Sequence, residues 1–416
     1  MAQDRLIFHI DVNSAFLSWE AVRRVKNGEP DLRLIPSAIG GDRNSRRGVV
    51  VAKSIPAKKR GVKTGEPVAE SLRKCPELVL AKSDFKLYET NSKAFMDIVR
   101  EYAPVVQKYS IDECFADFTG TSRIYPDPVE LAYTIKDRIR DELGFTVNVG
   151  VSDCRVLAKM ASDFEKPDKV HTLFRSEIEE KMWPLPVGDL FTVGKSTADK
   201  LDKAGLHTIG DLAQADVDWV RRLLGDKMGR HVWNYANGID PSPVREERED
   251  AKSIGNSTTL EEDVTTYEAA YAILLALSES VGRRARRHGV KGAVITVQIR
   301  SNRFKDTSHQ RILPESTDIT NEIYEWSKEL FDELWDGTTP LRLLGVTLSD
   351  LSEEGTGQLS LFGGENKEKA RQLDKAADAI NQKFGSSTIV RGTDVGSNVR
   401  VGKKQKAQLD LKKEES

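Results

Sequence analysis

The sequence contains no apolar run near the roughly 20 residues that a membrane-spanning helix needs. Its 416 residues include only three cysteines, Cys75, Cys114 and Cys154. They are widely spaced, with no C-x-x-C pair, which suits a reducing compartment and argues against a structural zinc site. Net charge is also scarce: 63 basic residues against 65 acidic ones leave −2, so the chain as a whole does not announce a nucleic-acid partner. No repeat recurs at solenoid periods. The start, MAQDRLIFHIDV, lacks the basic-then-apolar order of a secretory signal. A cytoplasmic protein without membrane contact is expected, with several domains at roughly 100 to 200 residues each.

The near-zero net charge conceals two basic fields. Eight Lys or Arg face one acid between Gly41 and Lys63, and nine face Asp306 alone between Val281 and Arg311. Solvated faces are the plainer reading of each. However, GAVITVQIRSNRF alternates like a strand, which predicts Arg side chains on one side of a sheet, a surface suited to a phosphate backbone.

The order of patterns suggests four parts. A strand at Arg5 to Val12, a helix at Asp84 to Tyr102, the strand-like runs VVQKYSI and CFADF, a helix from Pro128 to Glu142, the strand FTVNVGVS and a helix from Arg155 to Phe164 make a βαββαβ split unit. Its antiparallel sheet is expected to carry helices on one face. Helices near Ala15 to Lys26 and Thr64 to Lys74 lie in the insertion from Val12 to Leu80. Short helices and Gly turns fill Ser176 to Gly238, and a charged, Pro-containing connector, DPSPVREEREDAK, follows. Ser253 to Leu351 reads strand, helix, strand, strand, helix, strand. A short helix near Leu373 to Phe384 and a Lys-rich end close the chain.

Adjacent carboxylates, Asp112 and Glu113, interrupt the apolar run QKYSIDECFADF. A turn between two strands would explain them, and a helix N-cap would explain Asp11 at the end of the first strand. In the split unit, however, Asp11 and Asp112 become neighbours. Three acids on one patch repel one another unless a cation lies between them. Hard oxygen ligands select magnesium, and a pair of ions about 4 Å apart is the arrangement of two-metal phosphoryl transfer.

HIDVNSAF, YSIDECFADF, VGVSDCRVLAKMASDFEKPD and VGKSTADKLDKAGLHTIGDL, in this order, resemble the Y-family translesion DNA polymerases, the group containing bacterial DNA polymerase IV and UmuC. The resemblance spans residues 5–350. It implies a multi-domain α+β fold: a palm with the ferredoxin-like βαββαβ sheet (1–11 and 81–170), small fingers (12–80), a helical thumb with a helix-hairpin-helix (171–240), a linker (241–252), an α+β little finger (253–351) and a tail (352–416). It implies error-prone, template-directed DNA synthesis without proofreading, on primer-template DNA and dNTPs, by a monomer working in DNA repair, DNA damage tolerance and the SOS response.

Carried onto this sequence, the resemblance makes Asp11, Asp112 and Glu113, with the backbone carbonyl of Val12, the holders of two magnesium ions. Ser14, Ala15, Ser54, Ile55, Lys58 and Lys166 fall at nucleotide-binding places, and Phe16 at the steric gate against ribose. The family usually has a Tyr, an Arg and a Thr where this chain has Ile55, Lys58 and Ala52. Lys58 keeps the charge without the bidentate fork, and Lys53 and Ser54 stand within reach. Asn13 and Ala15 read as a subfamily signature.

Val193, Gly194 and Lys195 lie at the turn of a helix-hairpin-helix that would offer backbone N–H groups to a DNA phosphate, although Thr192 replaces its usual first glycine. Arg283, Arg284, Arg286, Arg287, Arg300 and Arg303 would track the duplex backbone. Gln358, Leu359, Ser360, Leu361 and Phe362, between Gly-rich flanks, look like the peptide that binds the bacterial sliding clamp. The alternative is a catalytically weakened relative that still binds DNA and clamp.

Overall fold

The computed structural model describes residues 5–42, 48–246, 251–353, 364–385 and 388–389. The chain divides into two compact units, Met1–Arg248 and Glu249–Ser416.

In the first unit, β1 (Ile7–Val12) pairs antiparallel with β6 (Glu113–Asp117) on one side and β7 (Val147–Ser152) on the other. β5 (Val105–Lys108) and β8 (Val170–Thr172), the latter parallel to β7, complete the order β5-β6-β1-β7-β8. Side chains alternate across a strand, so Phe8, Ile10 and Val12 enter a core shared with α1 (Ala15–Lys26), α4 (Phe85–Arg100) and α5 (Pro128–Leu143). Asp84 caps α4 through Leu87 N–H and Asp127 caps α5 through Val129 and Glu130 N–H.

Ile7, His9 and Asp11 face the other side, against α6 (Arg155–Ser162). The expectation of helices on one face is therefore corrected. Gly150 on β7 is what lets α6 lie down there, since a Cβ would sit 2.0 Å from the Ala158 carbonyl oxygen.

Between α1 and α4, β2 (Ser37–Gly40), β3 (Val50–Lys53) and β4 (Val79–Ala81) form a second sheet in the order β3-β2-β4. With it come α2 (Ile55–Lys59) and α3 (Val68–Lys74). The helix expected from Thr64 begins only at Val68, after Pro67. After β8, α7 (Ile178–Lys181), α8 (Lys195–Lys203), α9 (Ile209–Gln214), α10 (Val217–Leu224) and α11 (Asp226–Ala236) close over Leu201, Ile209, Leu212, Val220 and Val232. Arg5 fastens the end of this helical part to the strand sheet by donating to the carbonyls of Asp240 (3.2 Å) and Ser242 (2.7 Å).

The second unit runs β9 (Ser253–Val264), α12 (Tyr267–Arg287), β10 (Val290–Ser301), β11 (Asp306–Thr317), α13 (Thr320–Leu334) and β12 (Leu341–Glu353). Its antiparallel sheet has the order β11-β10-β12-β9. Ile295, Val297, Leu344, Val346 and Leu348 are buried with Leu274, Leu277 and Phe331 of the two helices, each worth roughly 1.5 to 3 kcal/mol of apolar burial. α14 (Gly364–Phe384) follows and is longer than the piece expected from Leu373.

Candidate functional site

The alternation that buries Ile10 turns Asp11 toward α6, and the register pairs Asp11 with Glu113 across β1 and β6. Opposed residues in such a ladder lie roughly 4.5 to 5.5 Å apart at Cα, so two of the acids share one spot. Asp112 sits at the end of the connection from β5, where its backbone carbonyl accepts from Val12 N–H at 3.0 Å. Its carboxylate accepts from the Ser110 hydroxyl at 2.5 Å. The turn and the acidic site thus coincide. A cavity of about 250 Å³ is lined by Asp11, Val12, Ser14, Ala15, Phe16 and Asp112 from the β1–α1 side, by Val51, Ala52 and Lys53 from the small sheet, and by Thr64 from a loop.

The acid pair is held by cations from α6 and the loop after it. Lys159 Nζ donates to Glu113 Oε1 at 2.5 Å and approaches Asp11 Oδ2 at 3.4 Å. Lys166 Nζ lies 3.2 Å from Asp11 Oδ2, and Asp163 pairs with both lysines at 3.3 and 2.9 Å. Burial pushes the Asp11 carboxyl up from 3.8 to about 6, helped by its hydrogen bond to Glu113 and opposed by Lys166 and Lys159. Burial works against the Lys159 ammonium, yet the Glu113 hydrogen bond and the Asp11 charge hold it above the usual lysine value.

Among the described residues no three His, Cys, Asp or Glu side chains are gathered as metal ligands; Lys159 engages Glu113 and Ser110 engages Asp112. The donor set is nevertheless all hard carboxylate oxygen. A buried acid with a raised affinity for its proton is one that a divalent cation would relieve.

The other expected residues divide. Phe16 packs against Tyr88 in a tilted ring pair with centroids 4.6 Å apart while lining the cavity. Ser54 is buried and occupied: its hydroxyl caps α2 through Ala57 N–H, accepts from Ser37 N–H and donates to the Ile35 carbonyl. Its hydroxyl would have to leave these partners to meet a nucleotide. Ile55 and Lys58 are exposed and do not line the cavity. Asn13 is a buried brace bonded to Asn148, Thr146 and Asp168.

Lys159 and Thr64 are the residues that sequence reasoning left without a role. Lys159 had a visible signal, a lone cation in the apolar helix VLAKMAS four residues before Asp163. Thr64 had none. It is brought to the cavity only by a loop, where its hydroxyl accepts from Lys53 Nζ at 2.9 Å.

In the helical part, Gly194 caps α8 and Thr192 adopts φ 76°, the left-handed conformation that a glycine would take without strain. A Cβ on Gly194 would meet nothing within 4 Å, so the backbone there is open to an approaching group.

In the second unit, Arg286 is tied to Asp374, Asp378 and the Asp318 carbonyl. Arg300 is closed by a bidentate pair with Asp306, and Arg284 donates to the Gly255 carbonyl. Arg287 and Arg303 are exposed and Arg283 is half-buried. The sheet face away from the helices carries Ser257, Thr296, Gln298, Ser308, Gln310 and Thr347 around Arg300, a hydroxyl and amide surface rather than the expected arginine-rich one. Gln358 to Phe362 lie outside the described residues. No described helix is long and apolar enough to cross a membrane.

Family models match three stretches: the impB/mucB/samB family at residues 10–163, the thumb domain of DNA polymerase-iota at 188–240, and the impB/mucB/samB family C-terminal domain at 251–361. The chain is 46% identical over 388 residues to DNA polymerase IV of Clostridium acetobutylicum, covering 93% of this chain and 97% of the relative. It is 39% identical over 392 residues to DNA polymerase IV of Acetivibrio thermocellus, with 93% and 97% covered. It is also 37% identical over 393 residues to DNA polymerase IV 1 of Bacillus subtilis, with 94% and 93% covered. A solved Y-family DNA polymerase chimera shares the fold at a TM-score of 0.72 and 21% identity, over 84% of this chain and 100% of the chimera. The chain belongs to the Y-family of translesion DNA polymerases, closely related to bacterial DNA polymerase IV.

Proposed function

We propose that this chain is a template-directed, error-prone DNA polymerase that adds a deoxynucleotide from a dNTP to a primer 3′-hydroxyl, releases pyrophosphate and does not proofread. The observation that carries this reading is the β1–β6 register, which sets Asp11 against Glu113 beside a cavity that Asp11 shares with Asp112 and Phe16. Asp11, Asp112 and Glu113, with the Val12 carbonyl, would hold two magnesium ions, which supply charge neutralisation for a phosphoryl transfer.

Phe16 would pack under the deoxyribose and exclude a 2′-hydroxyl. Lys166, now on Asp11 and Asp163, and Lys53, at the cavity wall, would meet the negative triphosphate. With Ser54 committed to its cap, Lys58 is left as a peripheral charge.

In this reading β1, β5 to β8, α4, α5 and α6 are the palm, the β3-β2-β4 sheet with its helices the fingers, α7 to α11 the thumb, and β9 to β12 with α12 and α13 the little finger. Gly194 and Lys195 would meet DNA phosphates at the α8 start. The open hydroxyl and amide face, with Arg303 and Arg287, would track the duplex without reading sequence. Gln358 to Phe362 would bind the sliding clamp, and the protein would act as a cytoplasmic monomer.

Primer extension tests the reading. With magnesium and four dNTPs, wild type should extend an undamaged template. Asp112→Ala and Glu113→Ala should each fall beyond the roughly 100-fold that outer partners of a metal are worth. Extension by Glu113→Ala at the wild-type rate would refute the assignment, and failure of well-folded wild type to extend would favour a weakened DNA- and clamp-binding factor.

A further inference from the structure

α14 is docked through charge: Arg371 and Asp374 are its buried side chains, while Glu368, Lys369, Lys375 and Lys383 stand exposed. Arg371, 7% exposed, forks onto Asp318, 1% exposed, with Nε at 2.9 Å from both carboxylate oxygens and Nη2 at 2.7 Å from one. Asp374 accepts from Thr320 N–H at 2.8 Å and pairs with Arg286, which also pairs with Asp378 at 2.7 Å. Lys367 reaches Glu315 at 2.8 Å and Glu322 at 3.2 Å. These contacts tie the helix to α12, α13 and the end of β11.

Leu373, Ile380 and Phe384 instead stand 71%, 37% and 66% exposed. Spaced seven and four residues apart, they fall on one stripe at 3.6 residues per turn, with Ala377 between them. Ion pairs of this burial fix a geometry more than they add stability. A helix docked by such pairs is free to keep its apolar side for something else. Ile380 is the most covered of the three and Lys383 Nζ lies 5.3 Å over the Phe384 ring, while Leu373 and Phe384 remain mostly exposed.

We propose that the Leu373–Ile380–Phe384 face of α14 is a second contact surface for the protein that takes the Gln358 to Phe362 peptide. This rests on the reading of that peptide as the sliding-clamp ligand. The argument for this occupant is continuity. The helix begins at Gly364, two residues after Phe362, so any partner seated on the peptide meets α14 next, and the ionic dock holds α14 where its apolar side faces outward. An apolar stripe extending a short anchor peptide would add contact area without a further entropic cost of association, because the helix is already ordered.

The experiment measures binding of the full chain to purified sliding clamp for wild type, for a deletion of Gln358 to Phe362, and for the triple variant Leu373→Ser, Ile380→Ser, Phe384→Ser. Circular dichroism and sedimentation are recorded on each. The exposed positions should tolerate serine without loss of helix. The triple variant should bind clamp about ten-fold or more weakly with its peptide intact, and the deletion should lose tight binding altogether.

If the deletion binds as wild type, the peptide reading itself fails. If the deletion loses binding but the triple variant keeps wild-type affinity, the α14 proposal alone is overturned. Concentration-dependent dimerisation of wild type that the triple variant lacks would assign the stripe to a second copy and overturn it as well. Protection of residues 390–416 from proteolysis that the triple variant lacks would assign the stripe to the chain's own tail, and would overturn the clamp contact equally.

Discussion

Asp11→Asn, in chelator, should change how stability depends on pH. Burial lifts the folded carboxyl from 3.8 to about 6, so the unfolded chain releases this proton first as pH rises. Between about pH 4 and pH 6 this one carboxyl therefore subtracts stability from the wild-type fold, and above its folded value the subtraction is complete. A difference near two units, at 1.36 kcal/mol each, amounts to about 3 kcal/mol. Asparagine keeps the shape and cannot ionise. The stability of Asp11→Asn relative to wild type should therefore rise by about 3 kcal/mol between pH 4 and pH 7.5, whatever constant offset the lost Lys166 and Lys159 pairs impose. Urea unfolding at both pH values, read from tryptophan fluorescence at the transition of the first unit, measures it. Magnesium at pH 7.5 should then stabilise wild type and leave Asp11→Asn unmoved. Parallel pH profiles in chelator would refute the electrostatic account of the site.

Further predictions concern the fold and selectivity. Phe16→Ala should raise ribonucleotide incorporation roughly 10- to 200-fold, the range for a single pocket contact, measured as the ratio of dNTP to NTP efficiency; an unchanged ratio would remove Phe16 from the gate. Arg371→Ala should cost about 3 to 5 kcal/mol in the second unit, because it leaves Asp318 buried without its guanidinium; an unaltered melting temperature would contradict the ionic dock. Gly150→Ala should fail to give soluble protein, since its methyl would collide with the Ala158 and Ser162 backbone; a normally folded product would show that α6 can shift away from β7.

Elements with strong periodicity were legible in the sequence. α4 and α5 carry an Asp cap before an apolar rhythm, and the β9, α12, β10, β11, α13, β12 order of the second unit follows its alternation. The β3-β2-β4 sheet was not, because strands such as SAIG and VLA are too short to show a period. The acids were legible because charges in an apolar run demand an explanation. What holds them was less so: Lys159 reaches Glu113 only because Gly150 lets α6 approach the sheet. The partners of the arginines were hidden for a similar reason. Arg286 and Arg300 find carboxylates brought close by folding, Asp374 and Asp378 for one and Asp306 for the other, and charge counts along a segment cannot foresee partners on another.

The most direct test is a structure with primer-template, an incoming nucleotide that cannot react, and magnesium. Oxygens of Asp11, Asp112 and Glu113 should lie about 2.1 Å from ions, with Lys159 withdrawn from Glu113. Ions bound elsewhere, with Glu113 still on Lys159 and Asp112 still on Ser110, would contradict the account.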